Sequence, residues 1–314
     1  MSRTYRVSTG IVRRNVREIN AVVDLSFEIE PGELFGLLGP NGAGKTTTIK
    51  MLTTLLLPTS GSASILGFDV ARQTREVRRR IGYVFGGDRG LYDRLSGLDN
   101  LRYFADLYRV SPAVRDKRIR EVLDLVGLAG RERERVEGYS RGMRQRLHIA
   151  RGLLHDPPVV FLDEPTIGVD PVGARELRAL IAGLKELGKT VLLTTHYMFE
   201  ADALCDRIAI IRNGRIVGEG TPASLKARLA DRAVVEIEVF GVDEADVGRL
   251  RAIEGIGSVA VDAREQAQVI TVQGRRGAEL VQPVLRVLDG TRIGRVATRE
   301  PTLEDVYVEL VSGQ

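Results

Sequence analysis

Gly39-Pro40-Asn41-Gly42-Ala43-Gly44-Lys45-Thr46 fills every position of the G-x-x-x-x-G-K-[ST] pattern, and its surroundings are those the pattern needs. Ahead of it Glu33-Leu-Phe-Gly-Leu-Leu38 predicts a short apolar strand, and behind it Thr47 to Leu57 predicts a helix ended by Pro58. A backbone that wraps a polyphosphate must turn tightly and present several N–H groups with no side chains in the way, which glycine permits. The positive end of the following helix adds to the attraction. Lys45 then reaches the β- and γ-phosphates, the Thr46 hydroxyl takes one position on Mg²⁺, and Gly39 to Thr47 line the phosphates. A glycine-rich turn without a ligand fits less well, because the whole pattern stands between a strand and a helix.

A phosphate loop says only that a nucleotide binds. Val159-Val-Phe-Leu-Asp163-Glu164 is an apolar run ending in two carboxylates, the pattern of a buried parallel strand that delivers acids at its carboxyl end. Asp163 is placed to hold Mg²⁺ directly or through water, and Glu164 to orient or deprotonate an attacking water. Alone, the run fits a strand ending in a solvated acidic turn; Lys45 elsewhere in the chain favours the catalytic reading.

Between these motifs lies Tyr139-Ser140-Arg141-Gly142-Met143-Arg-Gln-Arg-Leu-His-Ile-Ala-Arg151, which resembles the L-S-G-G-Q signature and helix of ATP-binding-cassette proteins. Pro165-Thr-Ile-Gly-Val-Asp170-Pro171 resembles their D-loop, and Thr194-Thr195-His196 closes an apolar strand as their switch histidine would. In this order the motifs make about residues 1–225 similar to the nucleotide-binding subunits of cassette transporters. The resemblance implies a P-loop NTPase cassette with a layered α/β core, an antiparallel β subdomain and a helical subdomain over about residues 88–155. It implies hydrolysis of ATP with Mg²⁺, with Lys45, Glu164 and His196 as the catalytic set.

The resemblance also implies a composite site between two subunits facing head to tail. Ser140 and the backbone of Gly142 would contact the γ-phosphate on the partner's phosphate loop, at the start of an Arg144-to-Leu153 helix, and Asp170 joins the nucleotide-binding residues through the D-loop. His196 would donate a ring N–H to that phosphate. The implied partners are a second copy or a related subunit and an integral membrane permease serving export. The implied location is the cytoplasm, at the cytoplasmic face of the cell membrane.

Adenine in this family stacks on an aromatic ring upstream of the phosphate loop. Tyr5 is the only tyrosine there and takes that assignment, with Ser8 to Glu18 read as an inserted basic loop and Val23 to Ile29 as an alternating strand with Phe27 facing the core. The family's usual glutamine after the strand Arg80 to Phe85 is missing, and Gly86-Gly87-Asp88-Arg89-Gly90 follows instead. Either Asp88 takes over a metal contact through water or the segment is a glycine hinge, the reading preferred here. In the signature, Tyr139, Arg141 and Met143 replace Leu, Gly and Gln while Ser140 and Gly142 are kept; Arg141 is either a cation near the partner's ATP or a solvated arginine.

Composition bounds the picture. At 314 residues the chain has room for two domains, and no apolar run approaches the ~20 residues that cross a bilayer. A formal charge of +4 allows a nucleic-acid partner, but with 5% aromatic residues and no basic and aromatic tract none is expected. Cys205 is the only cysteine, so no internal disulfide is possible, and His148 and His155 lack metal-ligand spacing. From residue 231 onward, after a first domain of residues 1–230, the pattern becomes β-α-β-β-α-β, predicting a small ferredoxin-like α+β domain over residues 231–314, read as one that packs and dimerises, with ligand sensing as the alternative role. Its tail, Glu300-Pro-Thr-Leu-Glu-Asp-Val-Tyr307, resembles exporter ATPases of the daunorubicin-resistance type. A cassette protein of translation or DNA repair is the rival reading; a single phosphate loop and no long heptad run weigh against it.

Overall fold

Backbone pairing at the start of the chain differs from the alternation in the sequence. The computed structural model describes residues 1–9, 15–86, 90–229, 232–263, 267–275 and 280–312. Strands β1 (Arg3–Thr9) and β2 (Asn15–Val22) form an antiparallel pair in which Tyr5 faces Ile19, so Ser8, Thr9 and 15–18 are strand rather than inserted loop. Residues 23–30 are not a strand. Asp24 takes φ 49°, its N–H donates to the Ser2 hydroxyl, and the Leu25 N–H donates to the Met1 carbonyl, so these groups are satisfied without a ladder. Phe27 nonetheless faces inward and stacks on Phe35 at 5.3 Å.

Strand β3 (Leu34–Leu38) is buried along its whole length and feeds the glycine-rich loop into α1 (Lys45–Leu52). The helix stops well before Pro58, because Thr53 returns its hydroxyl to the Ile49 carbonyl and Thr54 takes φ 62°. There follow β4 (Ser64–Ile65), β5 (Phe68–Asp69), α2 (Thr74–Arg78), β6 (Ile81–Phe85), α3 (Gly97–Leu107), α4 (Pro112–Leu125) and α5 (Arg141–Leu153). Helix α5 begins at Arg141 and not at Arg144: the Ser140 hydroxyl accepts the Met143 N–H at 3.2 Å and caps it. Then come β7 (Val159–Asp163), α6 (Pro171–Glu186), β8 (Thr190–Thr195), α7 (Met198–Leu204), β9 (Arg207–Arg212) and β10 (Arg215–Gly220).

Six of these strands make one sheet in the order β10-β9-β3-β8-β7-β6, parallel except for the antiparallel edge strand β10. Parallel strands covered on both faces read as continuous apolar runs, which is why β3, β7 and β8 were legible as strands. The β9–β10 hairpin turns at Asn213 (φ 49°) and Gly214 (φ 77°), as an Asn-Gly turn requires.

The chain divides into two compact units, Met1–Thr221 and Pro222–Gln314. The second holds α8 (Pro222–Ala227), which the sequence reading placed at the end of the first domain, followed by β11 (Arg232–Phe240), α9 (Glu244–Arg251), β12 (Ile256–Ala263), β13 (Gln268–Arg275), α10 (Val281–Val287), β14 (Arg292–Arg299) and α11 (Leu303–Ser312). Its antiparallel sheet runs β12-β13-β11-β14, the ferredoxin-like order, with α9 and α10 closing over Val235, Ile237, Val239, Ile270 and Val272. Helix α11 is held to this unit through buried Asp305, which accepts from Gln273 and Arg299 and from the backbone and hydroxyl of Thr302. Burial alone would raise that carboxyl, yet Arg299 and Thr302 together hold it below its ordinary range.

Helix α5 carries His148 into the core, where it is fully buried and neither ring nitrogen has a hydrogen-bond partner among the described residues. Burial first, and the Arg151 and Arg144 charges second, push its pKa from 6.5 down to about 3, so the ring is neutral. Acid therefore protonates the unfolded chain first, and the stability this site leaves intact above pH 6.5 is lost as pH falls from there toward 3. In urea titrations, lowering the pH by one unit below 6.5 should destabilise the parent by about 1 kcal/mol more than His148→Leu; equal losses would contradict the buried neutral ring.

Candidate functional site

Adjacent parallel strands end side by side and in register. Asp163 at the head of β7 pairs with Thr194 on β8 and with Phe85 on β6, while Leu38 on β3 pairs with Thr195. Loops leaving those ends therefore meet at one edge, the position where open parallel sheets bind ligands. The glycine-rich loop leaves β3 there, with Gly42 at φ 82° and Gly44 at φ 111°. A Cβ on Gly39 would stand 2.3 Å from the Ile211 carbonyl and one on Gly44 2.5 Å from the Ala21 carbonyl, so strand β2 and the end of β9 wall the loop in.

Within that edge the structure brings together Lys45, Thr46, Asp163, Glu164 and His196. The Lys45 ammonium is 4% exposed, donates to the Gly39 and Pro40 carbonyls, and lies 3.1 Å from Glu164 Oε1. His196 Nδ1 lies 3.3 Å from Glu164 Oε2, outside hydrogen-bond geometry. Glu164 itself takes φ 49°, a conformation unusual for a side-chain-bearing residue, and its N–H donates to the carbonyl and hydroxyl oxygens of Thr194. The strain aims the carboxylate away from the strand and into the gap between Lys45 and His196.

Asp163 is buried and accepts from the Thr194 hydroxyl at 2.6 Å and the Thr46 hydroxyl at 3.3 Å. Burial raises its carboxyl above the ordinary carboxylate range, with Glu164 adding to the rise and the two hydroxyls and Lys45 opposing it. A carboxylate and a hydroxyl meeting at one buried point suit a hard cation, which takes oxygen ligands and relieves the burial of the charge. The donor set thus fits Mg²⁺.

Ser140, Gly142 and Asp170 form a second group. The Ser140 hydroxyl caps α5, while Asp170 caps α6 by accepting from the Val172 and Gly173 N–H groups. A Cβ on Gly142 would touch Val169, and the Arg141 guanidinium donates to the Gly168 carbonyl at 3.3 Å. Arg141 therefore bridges the start of α5 to the loop before α6 within one chain. Tyr139 is buried and donates its hydroxyl to the Arg131 carbonyl against Gly97, which accounts for an aromatic ring where leucine is usual. Tyr5 lies on β1 with the Arg3 guanidinium 4.9 Å from its ring centre, opposite Ile19, two residues before Ala21 at the wall of the glycine loop. Gly87, Asp88 and Arg89 lie outside the described residues.

Thr194 and Gly86 were missed as site residues. Thr194 looked like strand, yet its hydroxyl serves both Asp163 and the Glu164 backbone. A Cβ on Gly86 would stand 2.8 Å from the Glu164 carbonyl and 2.9 Å from that of Asp163. The signal for Thr194 was its place beside Thr195-His196; for Gly86 nothing short of the strand order identifies its neighbour.

The ABC transporter family profile matches residues 22–167. The linearmycin resistance ATP-binding protein of Bacillus subtilis is 34% identical over 92% of this chain and 93% of its own length. The doxorubicin resistance ATP-binding protein of Mycobacterium tuberculosis is 39% identical over 94% and 89%. A solved dimeric ATP-binding cassette in a post-hydrolysis state with ADP and Pi is 28% identical with a TM-score of 0.61, over 70% of this chain and 95% of that one. Thr194→Val keeps the shape of the residue but removes the hydroxyl that serves both acids. It should lower ATP turnover about tenfold with nucleotide affinity retained, measured by steady-state ATPase assay and equilibrium binding; parental turnover would remove Thr194 from the site.

Proposed function

This chain belongs to the ABC transporter family as an ATP-binding, ATP-hydrolysing subunit, and we propose that two copies close head to tail on two ATP molecules to drive export through a separate membrane permease. The observation that carries the catalytic part is the placement of Glu164 between Lys45 and His196 on a strained backbone at the head of β7. Glu164 acts as the general base for the attacking water, Lys45 neutralises the β- and γ-phosphates, and His196 donates a ring N–H to the γ-phosphate. Thr46 and Asp163 would hold Mg²⁺, which would supply charge neutralisation to the polyphosphate. Gly39 to Thr47 present backbone N–H groups to the polyphosphate, and Tyr5 stacks on the adenine.

Ser140 and Gly142 face the partner's γ-phosphate in this reading, and Asp170 orients the loop beside them. Relatives named for resistance to linearmycin and doxorubicin support a small-molecule cargo. No helix among the described residues is long and apolar enough to cross a membrane, which fits a subunit bound to the cytoplasmic face of one. Glu164→Gln should retain ATP binding while turnover falls about 10²–10⁴-fold. Turnover at the parental rate would reject Glu164 as the base. In detergent extracts of the producing cells, the chain should co-purify with a multi-span membrane protein, and recovery with ribosomes instead would reject the transport role.

A further inference from the structure

Arg151 is a buried cation that the catalytic scheme leaves without a task. It sits two residues before the end of α5, is 4% exposed, and pairs with no carboxylate among the described residues. Its Nε is buried without a partner. An apolar side chain of similar volume would fill the space without the penalty of burying an unpaired charge, so packing alone is a poor reason for a guanidinium here. Burial accordingly lowers its pKa.

Three contacts are specific to the guanidinium. Its Nη1 donates to the Gly90 carbonyl at 2.7 Å, and its carbon lies 5.1 Å from the Phe85 ring centre and 5.0 Å from that of Phe104. Phe85 is the last residue of β6, Phe104 lies on α3, and Gly90 follows the segment after β6. Gly90 is fitted to the contact: at φ 99°, a Cβ there would stand 2.8 Å from Arg151 Nη1 and 3.0 Å from the Phe85 ring. The near end of the same segment, Gly86, is seated against the carbonyls of Asp163 and Glu164. The other end of α5, about 16 Å away by helical rise, is capped by Ser140.

We propose that Arg151 is a positioning residue for ATP hydrolysis, clamping Gly90 and Phe85 to α5 so that the catalytic acids on β7 and the Ser140 end of α5 keep a fixed spacing. The proposal rests on hydrolysis at Glu164. Clamping predicts a loss in kcat without a loss in nucleotide affinity, because Arg151 touches none of the phosphate-loop residues in the structure.

The test is a double-mutant cycle on the full-length chain with Arg151→Met, Gly90→Ala and the pair, with Arg151→Lys as the conservative variant. Each single change should lower kcat about tenfold at saturating ATP, with the Kd for a non-hydrolysable ATP analogue within about twofold of the parent. The pair should be no slower than the slower single variant, since both break one contact, and Arg151→Lys should recover part of the rate through its own N–H. A kcat unchanged in Gly90→Ala, or losses that multiply in the pair, would overturn the clamp. Should Arg151→Met fail to fold, the same cycle with Arg151→Lys and Gly90→Ala decides by the same criterion. Glu164→Gln run alongside separates the outcomes, since an inactive Glu164→Gln beside an unaffected Gly90→Ala rejects the clamp and leaves the base in place.

Discussion

Everything at the sheet edge is arranged around one buried carboxylate. Asp163 stands at the head of β7 out of reach of bulk water, where an ionised acid is unfavourable unless donors or a cation face it. Thr194 and Thr46 supply the donors from the two neighbouring structures, strand β8 and helix α1. That requirement fixes the order of the strands: β7 must lie next to β8, and β8 next to β3, for those hydroxyls to arrive together. With the order fixed, the backbone at Glu164 turns left-handed, and its carboxylate enters the space shared with Lys45 and His196.

Much of this was legible because the chemistry leaves strong local marks. A phosphate loop needs glycine at fixed positions and a lysine beside them, and buried parallel strands need unbroken apolar runs, so the residues from Glu33 to Thr46 and from Val159 to Glu164 announce themselves. The ferredoxin-like order of the second unit was visible for a similar reason, since α9 between β11 and β12 and α10 between β13 and β14 interrupt the strand pattern, and α9 starts at a capping box on Asp243. What escaped notice depends on partners far along the chain. The alternation of Val23 to Ile29 looked like a strand, but Met1 and Ser2 had already taken its backbone donors. Helix α1 ended early through a threonine hydroxyl and a left-handed Thr54, neither of which pattern alone foretells.

The departures of this chain from its relatives' usual motifs are absorbed by specific contacts. Tyr139 gives its hydroxyl to the Arg131 carbonyl, and Arg141 reaches the Gly168 carbonyl, so the altered signature is tied into the helical insert on one side and the loop before α6 on the other. Gly86 and Gly90 flank the segment that lacks the usual glutamine, and both are glycine because another structure occupies the space a side chain would need. At these two positions glycine serves close approach.

One chain presents Lys45, Asp163 and Glu164 in one group and Ser140 with Gly142 in another, and the account assigns these groups to opposite halves of a shared site. Subunit mixing tests that assignment directly. A Lys45→Ala chain and a Ser140→Arg chain should each be inactive alone, whereas a mixture contains pairs in which an intact phosphate loop faces an intact signature. The account predicts that ATP hydrolysis reappears on mixing. Two inactive variants that stay inactive together, while forming mixed pairs, would contradict it.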